Sequence, residues 1–295
     1  MRALCFGSLN IDNIYAVPHM VQPGETLSCD VLRSTCGGKG LNQSIALARA
    51  GIPVFHAGKV GSDGAMLIDC LRNSGVDISL ISIEPTLPSG HAIIQVDRDG
   101  ENCILLYPGA NAAITQNDIE IVLAQFGEGD LLFLQNEVSC LNLIIEQAYQ
   151  KGMTIVLNPS PMNRALAESP ALGKIDWFIL NEIEGEQITG ETNPDHICEQ
   201  LLARFPCCRV VLTLGRDGAL YAGADGCYRQ DAFPVQAVDT TAAGDTFTGY
   251  FFSGILRGLP PTDCLRLAAM ASAITVGRPG ASVSIPTLDE VTARL

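Results

Sequence analysis

The chain has 295 residues, with 18 Lys and Arg set against 32 Asp and Glu, for a formal net charge of −14 at pH 7. No basic stripe is present, which excludes a general nucleic-acid binder or an anionic-membrane binder. No signal peptide or apolar run of membrane length can be read, and the eleven cysteines lack C-x-x-C spacing, so reduced, mostly buried thiols in a cytoplasmic protein are expected.

In chain order, a short strand Ala3 to Phe6 leads into Gly7-Ser-Leu-Asn-Ile-Asp12, which places the polar pair Asn10 and Asp12 at its end. Residues 14–17 and 26–35 read as extended, with Leu27, Cys29 and Val31 alternating against polar neighbours. Cys36-Gly-Gly-Lys-Gly-Leu-Asn42 precedes a helical pattern through Ile45, Leu47 and Ala48 that stops at Gly51. Paired glycines before a helix allow close approach of a small ligand to the backbone. Lys39 and Asn42 add donors suited to hydroxyl groups, whereas Cys36 is read as a packing residue. The loop is not a Walker loop, and no G-x-G-x-x-G follows the first strand, which argues against a dinucleotide-binding protein.

Apolar β-rich runs follow at 54–60, 131–135, 153–157, 176–180 and 209–214, separated by amphipathic stretches at 63–74, 115–126, 139–151 and 194–204. This alternation predicts an α/β fold with a mostly parallel sheet covered by helices on both faces. Segments 91–97 and 103–107 flank Arg98-Asp99-Gly100, a hairpin turn, and with 14–17 and 26–35 they predict a small second sheet. Glu137, Asn158, Asn181 and Gly215 each follow a predicted strand. The carboxyl ends of such strands are where an open α/β sheet binds its ligands.

The most informative run is Asp239-Thr-Thr-Ala-Ala-Gly-Asp-Thr-Phe247. Ala242, Ala243 and Gly244 allow a sharp turn, and the apolar run from Phe247 to Leu256 predicts a helix, so the turn's N–H groups stand at a helix N-terminus and favour a phosphate. Asp245 then projects into the same space. Two anions side by side repel, but the arrangement makes sense where a hydroxyl loses its proton while attacking phosphorus. The alternative is an ordinary helix start with Asp245 as a first-turn acid.

Taken in order, GSLNID at 7–12, CGGKGLN at 36–42, NPSP at 158–161, NEIE at 181–184, TLGRDG at 213–218 and DTTAAGD at 239–245 resemble the ribokinase family, also called PfkB carbohydrate kinases. The likeness spans essentially the whole chain and looks strongest toward the ribose-phosphorylating members. It implies one ribokinase-like domain over 1–295, a three-layer sandwich with a small β lid from about 14–17, 26–35, 91–97 and 103–107. A homodimer through that lid is also implied.

The resemblance further implies transfer of the γ-phosphoryl of ATP to a sugar's primary hydroxyl, with Asp245 as base and Ala242, Ala243 and Gly244 cradling the phosphoryl group. Asn10, Asp12, Gly38, Lys39, Asn42 and Glu137 match the sugar-holding positions. Thr213, Gly215 and Gly218 match the nucleotide side, and Asn181 with Glu184 matches the Mg²⁺ motif, acting through water. Asn181 as a helix cap, closed by Glu184, is the plainer reading of that pair, and both can hold. Asp239, Thr241, Thr275, Arg278, Gly280 and Ser284 match the loops that hold potassium. The amide of Asn10 beside Asp12 suits ribose, and only His91 in the lid stretch could meet an existing phosphate. Deoxyribose, fructose, a ketohexose acid or a nucleoside stand as alternatives. A non-catalytic sugar- or nucleotide-binding regulator is the reading from a different class.

Overall fold

The computed structural model describes residues 1–29 and 31–295; position 30, inside the predicted extended run 26–35, lies outside the described residues. The strands are β1 Ala3–Phe6, β2 Asn10–Ala16, β3 Val31–Gly37, β4 Val54–Gly61, β5 Asp77–Glu84, β6 Gly90–Val96, β7 Asn102–Tyr107, β8 Leu131–Gln135, β9 Thr154–Asn158, β10 Trp177–Asn181, β11 Arg209–Thr213, β12 Ala219–Gly223 and β13 Gly226–Gln230. The helices are α1 Lys39–Arg49, α2 Ala65–Asn73, α3 Gln116–Leu123, α4 Leu141–Gln150, α5 Arg164–Ala167, α6 Glu182–Thr189, α7 Pro194–Arg204, α8 Ala243–Leu256, α9 Pro261–Val276 and α10 Leu288–Thr292.

Nine strands form the main sheet in the order β13-β12-β11-β10-β9-β8-β1-β4-β5. Pairing is parallel from β11 through β5, and only β12 and β13 run antiparallel to their neighbours. Successive side chains of a strand leave on opposite faces. Ala3, Cys5, Leu131 and Phe133 therefore enter one core with α1, α2, α8, α9 and α10. Leu4, Phe6, Leu132 and Leu134 enter the other with α3 to α7. With both faces covered, the central strands read as unbroken apolar runs. The result is a three-layer sandwich.

Helix α8 is anchored by aromatic packing. Phe252 meets Phe133 edge to face at 5.0 Å between ring centroids, and Trp177 at 5.2 Å. Burying each such ring contributes roughly 2–3 kcal/mol. On its other side, α8 lies directly on α1: a Cβ at Gly249 would fall 2.6 Å from the Ala46 backbone. No larger residue fits there.

A second sheet of four strands, β3-β2-β6-β7, stands apart from the first. It carries the predicted hairpin, but its first two strands are offset from expectation. β2 begins at Asn10 instead of 14, because Asn10 already pairs with Gly37. Leu27 and Cys29, expected to be extended, belong to no strand. β2 ends at Ala16 opposite Val31, so Leu27 and Cys29 have no ladder to join. Among the described residues no helix is long and apolar enough to cross a membrane.

Candidate active site

The carboxyl ends of β9, β10 and β11 open onto one cleft of about 800 Å³. Asn158, Asn181 and Thr213 line it, together with Glu137 just past β8, the loop residues Gly38, Lys39 and Asn42, and the turn Asp239 to Asp245. Asn10 and Asp12 reach it from β2, and Ile94, Ile104 and Leu106 of the small sheet close it from above. Residues from both ends of the chain thus meet at the strand ends, where ligands of open α/β sheets collect.

At one end of the cleft the glycines of 36–42 explain themselves. A Cβ on Gly37 would fall 1.9 Å from Asp12 Oδ2, so the Asp12 carboxylate lies directly over that glycine. Gly38 has φ +95, which only glycine adopts readily. A Cβ on Gly40 would meet Ser8 N at 2.4 Å, so the loop packs backbone to backbone against Gly7-Ser8. Glu137 Oε2 accepts from Lys39 N–H at 3.1 Å and from the Ser8 hydroxyl, and Gly40 N–H donates to Ser8 Oγ at 3.2 Å. Burial, reinforced by the Glu137 carboxylate, pushes the Asp12 carboxyl up to about 7. Burial works against the Lys39 charge, but the carboxylates of Asp245, Glu137 and Glu184 outweigh it and hold the ammonium more firmly than usual.

Asp245 sits in the first turn of α8 and is 8% exposed. Its Oδ2 accepts from Asn42 Nδ2 at 3.1 Å and its Oδ1 from Gln43 Nε2 at 3.0 Å. Gln43 is itself held, because its Oε1 accepts from Gln135 Nε2 at 2.6 Å. Burial raises the Asp245 carboxyl above its ordinary range, opposed by Lys39, Gln43 and Asn42. The turn before it is strained: Ala242 stands at φ 62 in the left-handed region, costing of order 1 kcal/mol or more in a residue with a Cβ. The amide of Ala243 is turned back to Thr240 O at 3.3 Å. Those of Gly244 and Asp245 have no protein partner among the described residues. The Asp245 carboxylate and the two free helix-start amides thus belong to residues that line one cleft.

Farther along, Asn181 and Glu184 form a full capping box on α6. Glu184 N–H donates to Asn181 Oδ1 at 2.9 Å, and Asn181 N–H donates to Glu184 Oε2 at 3.0 Å. The plainer reading of this pair is realised, and Glu184 still lines the cleft with its second oxygen uncommitted. Thr213 lies beside it, donating to Leu180 O at 3.4 Å. Gly215 and Gly218 lie outside the cleft lining. At Gly218 a Cβ would fall 2.0 Å from Gln230 O, so the β12–β13 hairpin itself demands a glycine there.

Asp239 clamps two loops, its Oδ1 accepting from Thr241 N–H at 2.9 Å and its Oδ2 from Gly280 N–H at 2.9 Å. Three other side chains of the expected cation group have protein partners. Thr275 donates to Thr246 Oγ1 at 3.1 Å, Ser284 to Ala281 O at 2.7 Å, and Arg278 pairs with Glu290 at 2.6 Å. Arg278 can offer a cation only its backbone carbonyl, whereas the Thr275 and Ser284 hydroxyls, each donating its proton, keep oxygen lone pairs.

A profile described as pfkB family carbohydrate kinase matches residues 2–288. The chain belongs to this family. The ribokinase of Haemophilus influenzae is 34% identical over 295 residues, spanning 96% of this chain and 95% of its own. The deoxyribokinase of Salmonella typhi is 32% identical over 298 residues, spanning 98% and 97%. Among solved structures, the ribokinase of Cryptococcus neoformans var. grubii in complex with ADP superposes with a TM-score of 0.86 at 34% identity, covering 100% of this chain and 99% of that one. The ribokinase of Arabidopsis thaliana complexed with ribose and ATP gives 0.86 at 28% identity, covering 99% and 97%. This pfkB-family chain is a phosphotransferase acting on a sugar hydroxyl.

Around the family motifs, the structure adds four side chains that sequence reasoning missed: Ser8, Gln43, Gln135 and Asn111. Ser8 and Gln43 lie inside or next to quoted motifs and were there to be read. Gln135 ends a buried strand as its lone polar residue, a weak signal. Asn111 carries no local signal.

Proposed function

We propose that this chain transfers the γ-phosphoryl group of ATP to the primary hydroxyl of a small sugar, D-ribose first, giving ADP and ribose 5-phosphate. The observation that carries the proposal is Asp245, a buried carboxylate at the start of α8 that lines the cleft together with Gly244, both with unpaired backbone amides. The complexes of related ribokinases with ADP, and with ribose and ATP, support the choice of donor and acceptor.

The sugar lies against Asn10, Asp12, Gly38, Lys39, Asn42 and Glu137 beneath the small sheet, which acts as a lid and excludes water. Carboxylates such as Asp12 and Glu137 accept from sugar hydroxyls, and Lys39 donates. Asp245 takes the proton of the primary hydroxyl as that oxygen attacks the γ-phosphorus in line, the bond to the bridging oxygen breaks, and ADP leaves. The unpaired amides of Gly244 and Asp245 take up charge on the transferring group, whereas that of Ala243 is held by Thr240 O. Thr213 flanks the nucleotide from the cleft wall, and Gly215 and Gly218 turn the loop behind it.

Glu184, through water, and Asn181 would hold Mg²⁺, which when bound neutralises phosphate charge. The uncommitted oxygen of Glu184 in the cleft fits that role. A potassium ion would be held by Asp239, Thr241, Thr275, Arg278, Gly280 and Ser284, mostly through carbonyls. Exposed Leu32 and Leu105, on the face of the small sheet away from the cleft, are where a second subunit would pack.

ADP release measured across ribose, 2-deoxyribose, fructose, a ketohexose acid and inosine, with and without potassium, tests the proposal. Ribose should give the highest kcat/KM. Saturable sugar binding without ADP would instead make the chain a regulator. Deoxyribose is the second reading, favoured by the deoxyribokinase of similar identity. A narrower check is Gly37→Ala. Its Cβ must displace the Asp12 carboxylate, so the sugar KM should rise about tenfold or more, with kcat much less affected. An unchanged KM would remove Asp12 from the sugar site.

A further inference from the structure

We propose that Asn111 sets the hydrogen-bonding polarity of the sugar site by fixing which way the Asn10 amide faces. It is a positioning residue, and its role rests on the reading above, that Asn10 touches the sugar.

Asn111 lies in the turn Gly109–Ala113, outside every motif and 101 residues along the chain from Asn10. It is 1% exposed. Leu9 N–H donates to Asn111 Oδ1 at 3.0 Å. A backbone amide only donates, so that end of the Asn111 amide has to be oxygen. Its NH₂ group then faces Leu9 O at 3.3 Å and Asn10 Oδ1 at 2.8 Å. The oxygen of Asn10 is thereby committed inward. What remains for the cleft is the Asn10 NH₂ group, a pure donor.

Asp12 stands two residues along the same strand and so on the same face. As a carboxylate it only accepts. The site therefore offers a donor and an acceptor in a set order, suited to neighbouring hydroxyls of which one accepts and the other donates. Without Asn111, either end of the Asn10 amide could face the sugar and that order would be lost.

Two further contacts make the arrangement specific. Gly90 is the register partner of Asn10, and a Cβ there would fall 2.2 Å from both Asn10 Oδ1 and Asn111 Nδ2. Only a bare backbone leaves the two amides room to meet. On its main-chain side, Asn111 O accepts from Ser139 N–H at 3.0 Å, two residues beyond Glu137. One buried residue thus ties together the two walls of the sugar pocket.

The test compares full-length Asn111→Asp, Asn10→Ala, the double variant and Asn10→Asp. A carboxylate at 111 still accepts from Leu9 N–H but cannot donate to Asn10 Oδ1. The Asn10 amide then turns over and shows its oxygen to the sugar. Ribose Kd by calorimetry and ribose KM should both rise about tenfold or more, with kcat at saturating ribose within about threefold. The preference for ribose over 2-deoxyribose should narrow, and the double variant should bind no more weakly than Asn10→Ala.

Ribose binding by Asn111→Asp within about twofold of the parent, alongside weak binding by Asn10→Ala, overturns the proposal, as do losses that simply add. Should Asn10→Ala itself bind normally, the sugar-site reading falls and takes this inference with it. Asn10→Asp carries the test if Asn111→Asp does not fold: it keeps the bond to Asn111 but has no donor for the sugar. The same tenfold loss supports the proposal, and unchanged affinity overturns it.

Discussion

Replacing Asp245 with Asn is expected to lower turnover by ~10²–10⁴-fold, the usual worth of a positioned general base. The substitution keeps size and shape but removes the proton acceptor. The surroundings should tolerate it. Asn42 and Gln43 donate to the two carboxylate oxygens, so an amide at 245 brings one NH₂ group against a donor. The buried Asn42 Oδ1 has no partner, and turning the Asn42 amide over lets it accept from the new group. Melting temperature and sugar affinity should therefore change little while kcat collapses. Turnover within tenfold of the parent would show that another group takes the proton.

The same residue sets the acid side of the pH profile. Burial raises the Asp245 carboxyl, so the base is protonated at a pH where an exposed aspartate is still ionised. Activity at saturating sugar should fall on acidification above the ordinary carboxylate range. Lys39→Met removes a charge that opposes this rise and should move the acid limb to higher pH. A limb that stays in place would separate Lys39 from the ionisation of Asp245.

Asp12→Asn is expected to stabilise the fold at alkaline pH while weakening sugar binding. Burial and Glu137 push the Asp12 carboxyl from 3.8 to about 7. The folded chain therefore holds this proton more tightly than the unfolded one. The favourable linkage is full below about pH 4 and is lost as pH rises toward 7, where the buried group must ionise. Roughly three factors of ten at 1.4 kcal/mol each put the penalty at up to about 4 kcal/mol above pH 7. An amide has no such ionisation. The gain in melting temperature should be larger at pH 8.5 than at pH 5.5, and an equal gain at both would contradict the linkage. Sugar affinity should fall about tenfold or more with the loss of a charged acceptor. A residue that destabilises its own fold at working pH fits a carboxylate kept for its ligand.

The main sheet was legible along its parallel core, where the strands are buried on both faces. The run 131–135 coincides with β8 and 209–214 nearly with β11, because such strands show no alternation and stand out as apolar blocks. β5, β12 and β13 went unread. β5 is half exposed at one sheet edge, and β12 and β13 are short strands at the other, β13 largely exposed. Helix α9 was missed because its runs of alanine give a weak amphipathic pattern. In the site, residues within one motif, such as Lys39 with Asn42, were readable because local spacing holds them together. The bonds from Asn111 to Asn10 and from Gln135 to Gln43 join distant segments, and no local pattern encodes them. The bonds of the Thr275, Arg278 and Ser284 side chains to Thr246, Glu290 and Ala281 are likewise set by packing and not by local pattern.

The contact of Gly249 with Ala46 has a mechanical consequence. Helix α1 begins with Lys39 and carries Asn42 and Gln43, and helix α8 carries Asp245 near its start. Packed backbone to backbone, the two helices hold Asp245 beside Asn42 and Gln43, so the carboxylate and its amide partners are assembled without a ligand.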